Sequence, residues 1–262
     1  MGSRKNHQSN YLTKMCFCDK FFLSMQIPSL LEMLKAGLHF GHKESKRHPS
    51  MKDYIFTTKG GIHIIDLEKT QKLLAEALNF IKQQAAQGKI LLLVGTKSQV
   101  QKIIQKNAEV LKLPYIVEKW VAGTLTNWPI VSRQVRKIKK MIEEQEKGEW
   151  LKYTKKEQQQ KQGELKQKQA LYQGLFTLET IPDLIFIIDT KKEKTALLEA
   201  RRKNIPIIAV CDTNSNANLI DYPIPANDDS TLGLEMIVGL IAEAVTEGRQ
   251  EEQAKQVAEI KT

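Results

Sequence analysis

The stretch PDLIFIIDTKKEKTALLEARRKNIPIIAV, residues 182–210, does most to limit what this chain can fold into. Residues 184–188 form a continuous apolar run, too short for a helix and rich in isoleucine. Such a run reads as a strand buried on both faces. A charged segment over residues 191–204 follows, with Ala196, Leu197 and Ala200 on one helical stripe. A second apolar run, residues 207–210, comes after Pro206. Strand, amphipathic helix and strand in so short a span make a βαβ unit, so the strands are expected to be parallel and the crossover right-handed. Parallel strands need cover on both faces, which makes the rest of the chain helices and strands extending one sheet.

Both strands of this unit end in Asp-Thr, at Asp189-Thr190 and Asp212-Thr213. The C-terminal edge of a parallel sheet is where ligands usually sit in open α/β folds. Two carboxylates there could hold a magnesium ion or act on a phosphate. Asp and Thr at strand ends also cap the turns that follow. Neither strand is followed by a GxGxxG or GxxxxGK[ST] pattern, which favours capping over catalysis. Gly95-Thr96-Lys97, after the buried strand expected at residues 89–94, hints at a phosphate loop but lacks its first glycine and its spacing.

The charge distribution points to an anionic partner. The chain of 262 residues carries a net charge of +10. Its first 175 residues hold an excess of 16 positive charges, and residues 176–262 are acidic, with fifteen acids against nine bases. That asymmetry suggests one side facing nucleic acid and another facing solvent or a protein. The three cysteines, Cys16, Cys18 and Cys211, are an odd number, with Cys211 inside an expected strand; this argues for a reducing compartment and against a disulfide framework. Cys16-Phe-Cys18 lacks zinc-site spacing, and no apolar run approaches a membrane span.

Residues 1–24 show no periodicity and read three ways: a basic arm, an organelle transit sequence, or residues upstream of a start at Met25. Ser29 can cap a short helix ending near Gly37. A basic loop follows, with His39, His42 and His48 among Lys43, Lys46, Arg47 and Lys52. As a metal site His39-x-x-His42 lacks a third ligand at a convincing spacing, so the loop reads as a phosphate contact. Residues 54–57 and 62–67 read as a β-hairpin around Gly60-Gly61, leading into a helix that stops at Gly88. In GTLTNW, residues 123–128, the side chains of Thr124, Thr126 and Asn127 can bond phosphate oxygens or bases, and Trp128 can stack. The same loop equally reads as a helix entry with Trp128 packed in the core. The helix over residues 129–147 has an apolar stripe and, elsewhere on its surface, Arg133, Arg136, Lys137, Lys139 and Lys140. Thr154-Lys155-Lys156-Glu157 is a capping box opening a helix too polar to lie on a sheet. That helix is expected to pair with its predecessor as a protruding αα-hairpin, a basic arm suited to A-form RNA. Residues 222–225 read as an edge strand with two prolines, and residues 227–230 as the cap of a last amphipathic helix, followed after Gly248 by a polar tail.

Three of these stretches carry a resemblance to a known family. KAGLHFGHKESKRHPSMKDYIF, GTLTNW, and PDLIFIIDTKKEKTALLEARRKNIP continuing through DTN to IDYPIPANDDS resemble the S2 family of small-subunit ribosomal proteins, in order over residues 26–248. The chain departs from the family pattern at His48, Ala122 and residues 215–219. The resemblance implies a Rossmann/flavodoxin-like three-layer α/β domain (residues 26–128 and 174–248), a coiled-coil-like hairpin (129–173), and flexible ends (1–25 and 249–262). It implies a structural protein with no catalysis, no cofactor and no metal, bound to small-subunit ribosomal RNA. RNA contacts are expected from Lys43, Lys46, Arg47, His48, Lys52, Thr124, Thr126, Asn127, Arg133, Arg136, Lys137, Lys140, Lys155 and Lys156. Implied partners are other small-subunit ribosomal proteins, including the large mRNA-binding one, with no membrane and no homo-oligomer. The expected location is a cytoplasmic ribosome, or an organellar one.

Overall fold

The computed structural model describes residues 26–260, with side chains described as far as residue 254. The three readings of residues 1–24, with Cys16 and Cys18, lie outside the described residues. Helix α1 (Leu30–Lys35) opens on a capping box in which Ser29 and Glu32 satisfy each other's backbone N–H groups. Strands β1 (Phe40–Lys43), β2 (Ile55–Lys59) and β3 (Ile62–Ile65) form a small antiparallel sheet in the order β1-β3-β2. The β2–β3 hairpin agrees with the expectation; β1 does not, because it lies inside the stretch read as a basic loop. Phe-Gly-His-Lys has no strand pattern of its own, and it is extended because β3 offers it an edge, pairing Phe40 with Ile64 and Lys43 with Ile62. Gly41 is needed there, since a Cβ would stand 2.6 Å from Thr213 Cγ2.

Helix α2 (Leu67–Ala85), capped by Asp66, leads into the main sheet. Its strands are β4 (Leu91–Val94), β5 (Tyr115–Ile116), β6 (Leu184–Ile188), β7 (Ile207–Cys211) and β8 (Tyr222–Pro225). All neighbours are parallel in the order β5-β4-β6-β7-β8, which in chain order is the flavodoxin-like 2-1-3-4-5 arrangement. Alternate residues face opposite ways. Leu91, Leu93, Leu184, Phe186, Ile188, Ile208 and Val210 join the core containing α2, α3 (Ser98–Leu111) and α7 (Thr231–Ile260). Leu92, Val94, Ile185, Ile187, Ile207 and Ala209 face the second core, built with the start of α4 (Trp128–Glu146) and with α6 (Lys194–Arg202). The βαβ unit β6-α6-β7 stands as expected, with Ala196, Leu197 and Ala200 buried. Pro223 and Pro225 are tolerated because β8 is an edge.

Helices α4 and α5 (Lys155–Tyr172) meet in a separate small core of Ile138, Trp150 and Leu165. Thr154 and Glu157 form the expected capping box. Helix α7 continues past Gly248, where the sequence reading begins a flexible tail. Gly248 is not a stop but a crossing point, since a Cβ there would lie 2.4 Å from the Lys82 carbonyl and 2.7 Å from Ala85 Cβ. Lys82 Nζ then ties α2 to Glu247 at 3.0 Å and Glu251 at 2.9 Å, and Arg249 Nη1 donates to the Leu111 carbonyl at 2.6 Å. Gly248→Val is expected to destabilise the protein by about 2 kcal/mol, as overpacking against backbone does. Gly163→Ala, in open space on α5, should be neutral or stabilising by about 0.5–1 kcal/mol. Urea denaturation of both variants checks this, and equal tolerance at the two sites would contradict the close α2–α7 crossing.

Candidate nucleic-acid interface

The crevice where a ligand would sit in this topology lies between β4 and β6, at the switch in strand order. It is filled by the chain's own side chains. Lys97, immediately after β4, places its ammonium 2.8 Å from Asp228 Oδ1, 2.8 Å from Asp229 Oδ1 and 3.2 Å from Asp189 Oδ2. Lys192 Nζ donates to the Thr96 carbonyl at 2.9 Å, and the Thr96 hydroxyl donates to buried Glu193. Burial disfavours the Lys97 charge, but hydrogen bonds to Asp228 and Asp229 outweigh it and raise its pKa above the ordinary lysine value. Asp228 is buried beside Asp212, and its pKa is pushed up to about 6 despite Lys97. The phosphate-loop hint at Lys97 is thereby accounted for: its ammonium faces carboxylates, not an open anion site.

Asp189 takes the capping role, its Oδ1 accepting from Lys192 N at 3.0 Å with a backbone φ of 63°. Asp212 Oδ1 accepts from the Thr213 hydroxyl at 3.0 Å. Asp212 Oδ2 stands 2.9 Å from His42 Nδ1 on β1, and this contact raises the His42 pKa against the opposing effect of burial. His42 N donates to Thr213 Oγ1 at 2.9 Å and His48 N to the Thr213 carbonyl at 2.8 Å. The histidine-rich segment is thus stitched to the end of β7 through side chain and backbone together.

The GTLTNW loop is organised around a residue that sequence reasoning passed over. Glu199, on α6 and only 5% exposed, accepts from Trp120 Nε1 (3.1 Å), Gly123 N (2.7 Å), Leu125 N (3.0 Å), Thr126 N (3.1 Å) and Thr126 Oγ1 (3.1 Å). Burial alone would raise its pKa; these donors reverse that and hold it below the usual carboxylate range. The available signal was a carboxylate on the apolar stripe of α6, between Ala196 and Ala200. One expectation for this loop is corrected, and one pair of alternatives is decided. Thr124 is wholly buried and donates to the Val121 carbonyl at 2.6 Å, so it presents nothing to RNA. Trp128 is buried with its indole N–H on the Glu179 carbonyl at 3.3 Å, so it packs and does not stack on bases. Thr126 is half-buried and bonded to Glu199, leaving Asn127 as the exposed member.

The remaining expected contacts are on the surface. Lys43, Lys46, Arg47 and Lys52 are exposed, and half-buried His48 uses Nδ1 to accept from Ser50 N at 3.2 Å. Arg133, Arg136, Lys137 and Lys140 are exposed on α4, and Lys155 and Lys156 at the start of α5. Lys137 and Lys140 come together with Lys161 of α5 along a groove also lined by Glu144 and Glu164. Lys161 was missed; its ammonium lies 3.5 Å from the Tyr153 ring centroid. The acidic C-terminal third is not an acidic surface. Asp189, Glu193, Glu199, Asp212 and Asp228 are all buried, which removes most of that segment's negative excess from solvent.

The description "Ribosomal protein S2" matches residues 33–248. The chain belongs to the ribosomal protein S2 family. It is 39% identical over 226 residues to "Small ribosomal subunit protein uS2" of Coprothermobacter proteolyticus, covering 86% of this chain and 84% of that one. It is 40% identical over 234 residues to the protein of that name from Oenococcus oeni, covering 89% and 90%. With "Small ribosomal subunit protein uS2c" of Cyanophora paradoxa it shares 42% over 224 residues, covering 86% and 96%. The S2 family is structural and not enzymatic, in keeping with a crevice closed by internal ion pairs. The three stretches that resembled the family serve the architecture here: the first docks β1 onto Asp212, the second wraps Glu199, and the third supplies the carboxylates that hold Lys97.

Proposed function

We propose that this chain is a structural constituent of the small ribosomal subunit that binds ribosomal RNA with the exposed bases of residues 43–52, α4 and α5. The observation carrying this reading is the sorting of charge. Lysines and arginines of those segments reach solvent, while five acids of the C-terminal third are turned inward. A surface left net positive in this way attracts a polyanion and binds it by neutralising phosphates. In this reading residues 129–173 act as a basic arm laid along RNA backbone, and the α/β body (26–128 and 174–248) docks neighbouring small-subunit proteins, the large mRNA-binding one among them, as a single copy. No helix among the described residues is long and apolar enough to cross a membrane.

Sucrose-gradient sedimentation of the tagged protein from its own cells tests the assignment. Co-migration with the small ribosomal particle through a moderate-salt wash is expected; a wholly free pool would overturn it. The RNA surface has its own test. Arg136→Ala with Lys140→Ala is expected to weaken binding to small-subunit RNA and lower the slope of log K against log salt by about 1 per side chain. Lys140 is exposed and its ion-pair partner, half-buried Glu144, is 4.0 Å away, so its removal should leave stability within about 0.5 kcal/mol. An unchanged slope would place the RNA contact off α4.

A further inference from the structure

We infer that His42, Asp212 and Asp228 form a binding site for a first-row divalent transition cation, of which zinc is the representative. The three residues come from β1, from the end of β7, and from the turn before α7, and one ligand atom from each lies within 4.8 Å of the others. Asp228 is wholly buried and its Oδ2 has no hydrogen-bond partner; its other oxygen is held by Lys97 at 2.8 Å. Asp212 is 1% exposed, and its Oδ2 stands 2.9 Å from His42 Nδ1. An unpartnered carboxylate oxygen in a protein interior costs free energy unless something positive reaches it.

The charge balance points the same way. Asp189, Asp228 and Asp229 gather here around one ammonium, that of Lys97, with Asp212 beside them against His42. A dipositive ion between His42, Asp212 and Asp228 would offset most of the remaining negative charge. The donor set of one imidazole nitrogen and two carboxylate oxygens suits zinc-like ions, because magnesium and calcium favour all-oxygen shells. Access is provided by a cavity of about 320 Å³ lined by His42, Asp212 and Asp229 with Lys43 and Lys46 at its side, leaving room for water as a further ligand. His39 is not part of the site. Its ring lies against Phe40, so the His-x-x-His spacing is incidental and the missing ligands come from the other end of the chain. A cation here would cross-link the small antiparallel sheet, the main sheet and the cap of α7.

The test uses the full chain with Cys16→Ser and Cys18→Ser, so that thiolates near the N-terminus do not compete for zinc. After chelator treatment and its removal, zinc chloride is titrated by equilibrium dialysis with elemental analysis, alongside thermal denaturation. One zinc per chain and an upward shift of Tm are expected, with magnesium at equal concentration not retained. Asp228→Asn, which keeps an oxygen for Lys97, and His42→Gln are each expected to weaken zinc binding by at least about 10-fold and to remove the Tm shift. His39→Gln is expected to leave both unchanged. The folded state of each variant is checked by circular dichroism, and half-exposed His42 serves if Asp228→Asn fails to fold. Absence of stoichiometric zinc, equal zinc binding in both ligand variants, or magnesium retained in place of zinc would overturn the assignment.

Discussion

Glu199→Ala is expected to destabilise the protein by about 4 kcal/mol. The carboxylate accepts from three backbone N–H groups, an indole N–H and a hydroxyl, all in one loop. Truncation leaves those donors without acceptors in a site closed to water, and each unsatisfied donor costs on the order of 1–3 kcal/mol before relaxation. Glu199→Gln keeps the shape and one acceptor oxygen but turns an amide toward N–H groups, so a loss of about 2 kcal/mol is expected. The sign of the pH dependence follows from the lowered pKa. A depressed folded-state value means that Glu199 contributes fully above its unfolded value, near 4.5, and loses that contribution as pH falls through the folded value. The stability gap between wild type and Glu199→Gln should therefore be wide at neutral pH and shrink as pH falls below about 4.5. Urea denaturation across a pH series from neutral to acid measures it. A gap independent of pH would mean that the loop is held by packing and not by the charge.

Lys97→Met is the second large effect, with an expected loss of about 3–5 kcal/mol measured with chelator present. The ammonium sits among Asp228, Asp229 and Asp189, of which Asp228 is buried and Asp189 nearly so. Removing the cation leaves those carboxylates facing one another with Asp212 close by, an uncompensated charge of the kind that is costly in an interior. The interaction is testable by a cycle. Asp228→Asn in the Lys97→Met background should recover part of the loss, with a coupling of about 1–3 kcal/mol. Additive single and double variants would show that Lys97 acts through its apolar stem and not through its charge.

These two residues also show where sequence reading stops. The strands β4, β6 and β7, the amphipathic faces of α2, α4 and α6, and the Thr154 capping box were legible because each depends on neighbours within a few residues. The parallel pairing of β6 with β7 followed from the βαβ unit and the three-layer class from the family resemblance, whereas the order of all five strands appears only in the structure. Strand β1 was not legible, since Phe-Gly-His-Lys becomes extended only when β3 lies beside it. The GTLTNW loop could be read either as an RNA contact or as a helix entry; Thr124 and Trp128 went to the interior, bonded to the Val121 and Glu179 carbonyls, in a loop whose N–H groups at Gly123 and Leu125 are accepted by Glu199, more than seventy residues away.

The polar groups divide along the same line. From composition, an acidic C-terminal third looks like an acidic surface. The fold turns Asp189, Glu193, Glu199, Asp212 and Asp228 inward and surrounds them with Lys97, His42, Thr96 and backbone N–H groups. By itself the sequence determined the α/β class and the main strands and helices, because hydrophobic period and local capping act over one or two turns. Only the tertiary structure decided which charges face solvent. A buried carboxylate is stable only against a partner, and the partners here lie at the far ends of the chain until the sheet brings them together.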